Sequence, residues 1–103
     1  MKFAQRILDI VEQLDKKPGS EVVRHQLAKA GTSIGANIEE ADGTITKRDF
    51  VNKMTIARKE AKETRYWLRL ISGRYLDKDE VANDIGECQE LTCILSSIIN
   101  KSR

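Results

Sequence analysis

TKRDFVNKMTIARKEAKETRYWLRLISG, residues 46–73, decides the fold. Phe50, Met54, Ala57, Ala61, Thr64, Leu68 and Ile71 recur at intervals of three and four, which lays them along one stripe of an α-helix about six turns long. Thr46 and Asp49 stand three apart, the spacing of a capping box in which the hydroxyl serves the amide of residue 49 and the carboxylate reaches back. Gly73 is the terminator. The alternation that marks a half-buried strand is absent from this stretch and from the rest of the chain.

Working outward, the same period recurs on both sides. Phe3, Ile7, Ile10 and Leu14 predict a first helix, stopped by Pro18-Gly19; Ser20 is placed to cap the next one with its hydroxyl. Val23, Leu27, Ala30, Ile34, Ile38 and Ala41 predict a second helix ending at Asp42-Gly43. Its middle is crowded with small residues (Ala28, Gly31, Ser33, Gly35, Ala36), and each interior glycine costs about 1 kcal/mol relative to alanine. A neighbouring helix approaching closely over this stretch would offset that cost. Asp77 and Glu80 repeat the capping signature before a fourth helix, Lys78 to about Lys101, whose inward stripe is Val81, Ile85, Cys88, Leu91, Leu95 and Ile99. Four amphipathic helices joined by short connections predict an all-α, antiparallel up-down-up-down four-helix bundle, with residues 1–103 as one domain.

Several function classes are set aside by composition. No apolar run reaches the roughly 20 residues that span a bilayer, and Asp9, Glu12 and Asp15 interrupt the start too early for a secretory leader, so a cytoplasmic location is expected. Cys88 and Cys93, five apart on one helix, project about 140° from each other and are read as reduced thiols. His25 is the sole histidine and falls on a polar face, no CxxC or HxxxH pair exists, and neither a metal nor a cofactor is expected. Phosphate loops and nucleophile elbows are missing. Glu39, Glu40 and Asp42 could pair as acid and base only on paper, because adjacent helical residues diverge by about 100°. The chain is read as no enzyme.

Apolar residues remain after the bundle is built. Ile56, Trp67 and Leu70 fall outside the main stripe of the third helix by about 90° or more, and Ile94 and Ile98 widen that of the fourth, as Leu8 does on the first. They predict an interface between copies; the alternative is that they seal the flanks of a single bundle. Charge is also uneven. The net charge is only +2, yet residues 44–75 hold nine basic and three acidic side chains, whereas residues 76–103 hold three and six. Arg58, Lys62, Arg65 and Arg69 recur at four, three and four, forming a ridge able to track phosphates. The competing reading is a solvated face balanced by Asp84, Glu87 and Glu90 of the fourth helix. Asn37, on the edge of an apolar stripe with Ser33 one turn away, is read as a polar contact that sets helix register.

Between Gln26 and Ile71 the sequence resembles a bacterial four-helix-bundle family first noticed as open reading frames in intervening sequences of large-subunit ribosomal RNA genes. Ser33-Ile34, Asn37-Ile38, Glu40, Asp49-Phe50, Ile56-Ala57, Glu60, Glu63 and Trp67-Leu68 carry the resemblance. The familiar family pattern has Ala-Glu-Gly after Asn-Ile and an arginine in the following loop; here Glu39-Glu40-Ala41-Asp42 and Thr44-Ile45-Thr46 stand instead. The resemblance implies an antiparallel bundle and a homopentameric ring of stave-like protomers. It also implies similarity to the accessory protein of diversity-generating retroelements, a basic pentamer credited with binding nucleic acid and a reverse transcriptase. Two functions are therefore expected in competition: an oligomer that binds RNA or DNA through the basic ridge, and an adaptor that presents its ring to another protein.

Overall fold

A computed structural model describes residues 2–103. Four helices follow one another, α1 (Lys2–Leu14), α2 (Glu21–Asp42), α3 (Lys47–Ile71) and α4 (Lys78–Ser102), and each packs on the next in sequence. Cross-links set the register. Lys53 of α3 meets Glu40 of α2, and Arg58 of α3 reaches Ser96 of α4, positions roughly equidistant from the intervening loops, as antiparallel neighbours require. The result is the up-down-up-down bundle, an elongated body of 45 × 19 × 19 Å. No helix among the described residues is long and apolar enough to cross a membrane.

The caps explain where α3 starts and stops. The Asp49 amide donates to Thr46 Oγ1 at 3.1 Å, and Gly73 takes a φ of +79°, a conformation that side chains resist, to turn the chain out of α3. The Asp77 amide donates to Glu80 Oε1 at the head of α4. Ser20 departs from expectation: it sits at the cap position of α2, but its hydroxyl donates back to the Leu14 carbonyl at 2.7 Å and accepts from Arg24. Ser20 is completely buried, and the Leu14 carbonyl, which also accepts from the Lys17 amide at 2.9 Å, takes its hydroxyl proton, so that the side chain ties α1 to α2.

Ile7, Ile10, Leu14, Leu27, Leu68, Ile71 and Val81 are fully buried at the end where α1 ends and α2 begins; Ile34, Met54, Ala57, Ala61, Leu95 and Ile99 fill the other end. Cys88 is inward as expected, and burial pushes its thiol up to about 12; Cys93 is exposed, and both are free. The small residues of α2 divide. A Cβ built on Gly31 would stand 2.6 Å from Ile7 Cγ2, so α1 comes in as close as the sequence suggested, but Gly35 has nothing within 4 Å and faces open space. Asn37 is also different: its amide donates to the Ser33 carbonyl of its own helix at 2.8 Å and links no second helix.

Asp84 is the residue the stripe misjudged. It is only 5 % exposed while Ile85 is half-buried, because α4 is rotated slightly toward α1, where Arg6 closes on Asp84 through three hydrogen bonds of 3.1–3.2 Å and donates to the Glu80 carbonyl as well. That hydrogen bonding raises the Arg6 pKa further and holds the guanidinium charged. With only 13 residues α1 is about 20 Å long. Phe3 and Ala4 at its start border a small cavity with Ile34, Ile38 and Leu91, and α1 covers only part of the seam between α2 and α4.

Candidate nucleic-acid interface

On α3 the four-three-four spacing places Arg58, Lys62, Arg65 and Arg69 on one flank, and Arg58 Nη1 donating to Ser96 Oγ at 3.3 Å shows that this flank faces α4. Lys62 and Arg69 are exposed, Arg58 and Arg65 half-buried. Ion pairs among the described residues are Arg6–Asp84, Arg24–Asp15 and Lys53–Glu40, none of which involves the ridge. Arg65 Nε is buried and has no hydrogen-bond partner. The acids expected on α4 form no ion pair with the ridge: Asp84 is taken by Arg6, Glu87 shares its α1-side flank by helical phase, and Glu90 falls about 120° around α4 from Ser96. The flank that Ser96 marks carries Ile85, Gln89 and Thr92, which bring no negative charge.

Beside the ridge lies an open hollow of about 460 Å³ lined by Lys62, Arg65, Tyr66, Arg69 and Leu70. Sequence reasoning gave Tyr66 no role here. It is 60 % exposed, and its ring meets Trp67 edge-on, centroids 5.0 Å apart at 82°. Trp67 in turn packs against the core. Four and three residues separate Tyr66 from Lys62 and Arg69, a spacing that could have revealed the juxtaposition.

The surplus apolar residues form two patches. Ile56 and Trp67 lie on the row of Lys53, whose bond to Glu40 marks the α2 side; Ile56 is exposed and Trp67 half-buried. Val22, which the sequence reading passed over, shares the phase of Glu40 five turns away and adds 66 % exposed apolar surface to this face. Ile94, 55 % exposed, and the half-buried Ile98 lie on the α1 side of α4, the flank of Asp84. The α2/α3 and α1/α4 faces are opposite sides of the bundle. Leu70 borders the basic hollow and stands where the two kinds of surface meet. Glu39 and Glu40 diverge, Glu40 to Lys53 and Glu39 to a separate hollow beside Ala4, so they form no pair.

A sequence profile described as 23S rRNA-intervening sequence protein matches residues 1–97. The chain belongs to that family. Its fold is similar to the crystal structure, at 1.70 Å resolution, of a protein with unknown function from the S23 ribosomal protein family of Bacteroides thetaiotaomicron VPI-5482. The two share 39 % sequence identity over 95 % of this chain and 92 % of that one, with a TM-score of 0.88. No curated protein matches. In this family member the loop that departs from the familiar pattern carries Ile45, which is 99 % exposed.

Glu60, one of the residues carrying the family resemblance, has a buried Oε2 without a hydrogen-bond partner. Its pKa is raised, first by burial and then by the neighbouring Glu63 charge, against the pull of Lys59 and Lys29. The folded state thus holds this proton more tightly than the unfolded chain, and ionised Glu60 works against folding above the carboxylate range; the penalty fades as the pH falls through the raised value. Glu60→Gln is expected to raise Tm by a few degrees at pH 7 and to leave it nearly unchanged near pH 4, measured by thermal unfolding.

Proposed function

We propose that this protein is a non-catalytic homo-oligomer, a ring of five copies, whose α3 basic flank holds nucleic acid. The observation that carries the reading is the separation of surfaces: unlike apolar patches occupy opposite faces of the bundle, and the unpaired cations occupy the α3/α4 face between them. Unlike patches on opposite faces favour head-to-tail contact, which closes into a ring when the rotation per copy allows. The number five comes from the family resemblance. In such a ring the α3/α4 face stays free, and a run of four cations without acidic partners suits a phosphate backbone.

Phosphate binding releases counterions, so four contacts imply that raising salt from 50 to 200 mM weakens binding roughly a hundredfold. Fluorescence polarisation with RNA and DNA should show that slope, and Arg65→Glu with Arg69→Glu should lower affinity more than tenfold. Light scattering should give five times the chain mass, reduced to one by Ile94→Asp. A monomer at micromolar concentration overturns the ring. Absence of salt-sensitive binding, together with a partner protein that survives nuclease treatment, overturns the nucleic-acid reading in favour of an adaptor.

A further inference from the structure

We infer that the hollow beside the ridge takes single-stranded RNA, with an unpaired base stacked on Tyr66; this rests on the nucleic-acid reading above and narrows its ligand. Cations alone do not select between strands, since every phosphate backbone satisfies them. The apolar part of the hollow does select. Tyr66 is 60 % exposed and Leu70 43 %, side by side one turn apart, directly among Lys62, Arg65 and Arg69. A duplex turns its backbone outward and keeps its bases paired and stacked inside, so it would leave this apolar surface bare. An unpaired strand presents both components together: a phosphate for each cation and a base face for the ring.

The platform is braced. Trp67, seated against the core, meets the Tyr66 ring at 5.0 Å, so the aromatic surface is held without ligand and little ordering cost remains when a base arrives. The volume, about 460 Å³, accommodates a nucleotide. Arg65 lines the hollow half-buried and forms no ion pair among the described residues. RNA is the source of such strands because its loops, bulges and ends hold unstacked bases that aromatic and arginine side chains recognise.

The test compares a fluorescein-labelled unstructured 12-nucleotide RNA, the same RNA as a blunt duplex, and the DNA strand of the same sequence, on the assembled protein at 50 mM salt. The single RNA strand should bind about tenfold or more tightly than the duplex. Tyr66→Ala should cost about tenfold for the single strand and less than twofold for the duplex, with helix content and assembled mass unchanged; Tyr66→Phe should retain single-strand affinity. Equal binding of strand and duplex, or a Tyr66→Ala effect that is nil or equal on both, overturns the stacking inference, while a loss with Arg65→Glu and Arg69→Glu still upholds phosphate binding. A DNA strand bound more tightly than the RNA strand overturns the assignment to RNA. No binding of any of the three removes the parent reading as well.

Discussion

Gly31→Leu is expected to destabilise the protein by about 3 kcal/mol, a drop in Tm of roughly 12–24 °C by circular dichroism. Even the first carbon of the new side chain would stand 2.6 Å from Ile7 Cγ2 and 3.0 Å from Ile7 Cβ and Cγ1, and Ile7 has no exposed surface through which to retreat. α1 would have to lift, uncovering Ile7 and Ile10, each worth about 1.5–3 kcal/mol when fully buried. The gain in helix propensity, about 1 kcal/mol, does not offset that. Gly35 supplies the control from the same helix. Nothing lies within 4 Å of the point that a Cβ would occupy there, so Gly35→Ala should stabilise by up to about 1 kcal/mol. Equal effects at the two glycines would show that α1 does not pack as described.

The second large effect concerns the pair that joins α1 to α4. Arg6→Ala leaves the Asp84 carboxylate, whose side chain is 7 % exposed, without a cation and without three hydrogen bonds. Breaking a fully buried pair costs about 3–5 kcal/mol; the Arg6 side chain is 40 % exposed, and solvent screening brings the expectation to about 2–3 kcal/mol. Arg6→Lys should recover only part, because an ammonium cannot span both carboxylate oxygens and the Glu80 carbonyl as the planar fork does. Replacing both partners by leucine should restore most of the loss, since no unpaired buried charge remains. A double-mutant cycle from denaturant midpoints measures the coupling, and a value near zero would demote the pair to surface decoration.

The architecture was legible because each helix repeats one apolar stripe between recognisable caps. Predicted ends fall within a residue or two of those observed, and the buried set of α3 matches its predicted stripe, with Phe50 only half-buried. What escaped reading depends on which flank meets which neighbour. Asp84 and Ile85 are adjacent, and a small rotation of α4 decides which of them turns inward; the preference for burying the isoleucine lost to a guanidinium on α1 that periodicity could not place. For the same reason the acids of α4 were set against the ridge of α3, although their phase puts Asp84 and Glu87 on the far flank. Residue types on the ridge were readable; its isolation from carboxylates was not. Gly31 and Gly35 stand one turn apart on nearly the same side of α2 and border the same small cavity; what differs is the α1 residue opposite, Ile7 against Gly31, and no local signal reveals it.

The shortness of α1 divides the molecule along its length. Among the described residues, four helices enclose the core near Ser20 and Gly73, whereas three surround the seam between Ile38 and Ile98. Fewer buried contacts per turn lower the cost of local opening, so amide hydrogen exchange is expected to be faster at the α2–α3 hairpin tip and the tail of α4 than at the opposite end.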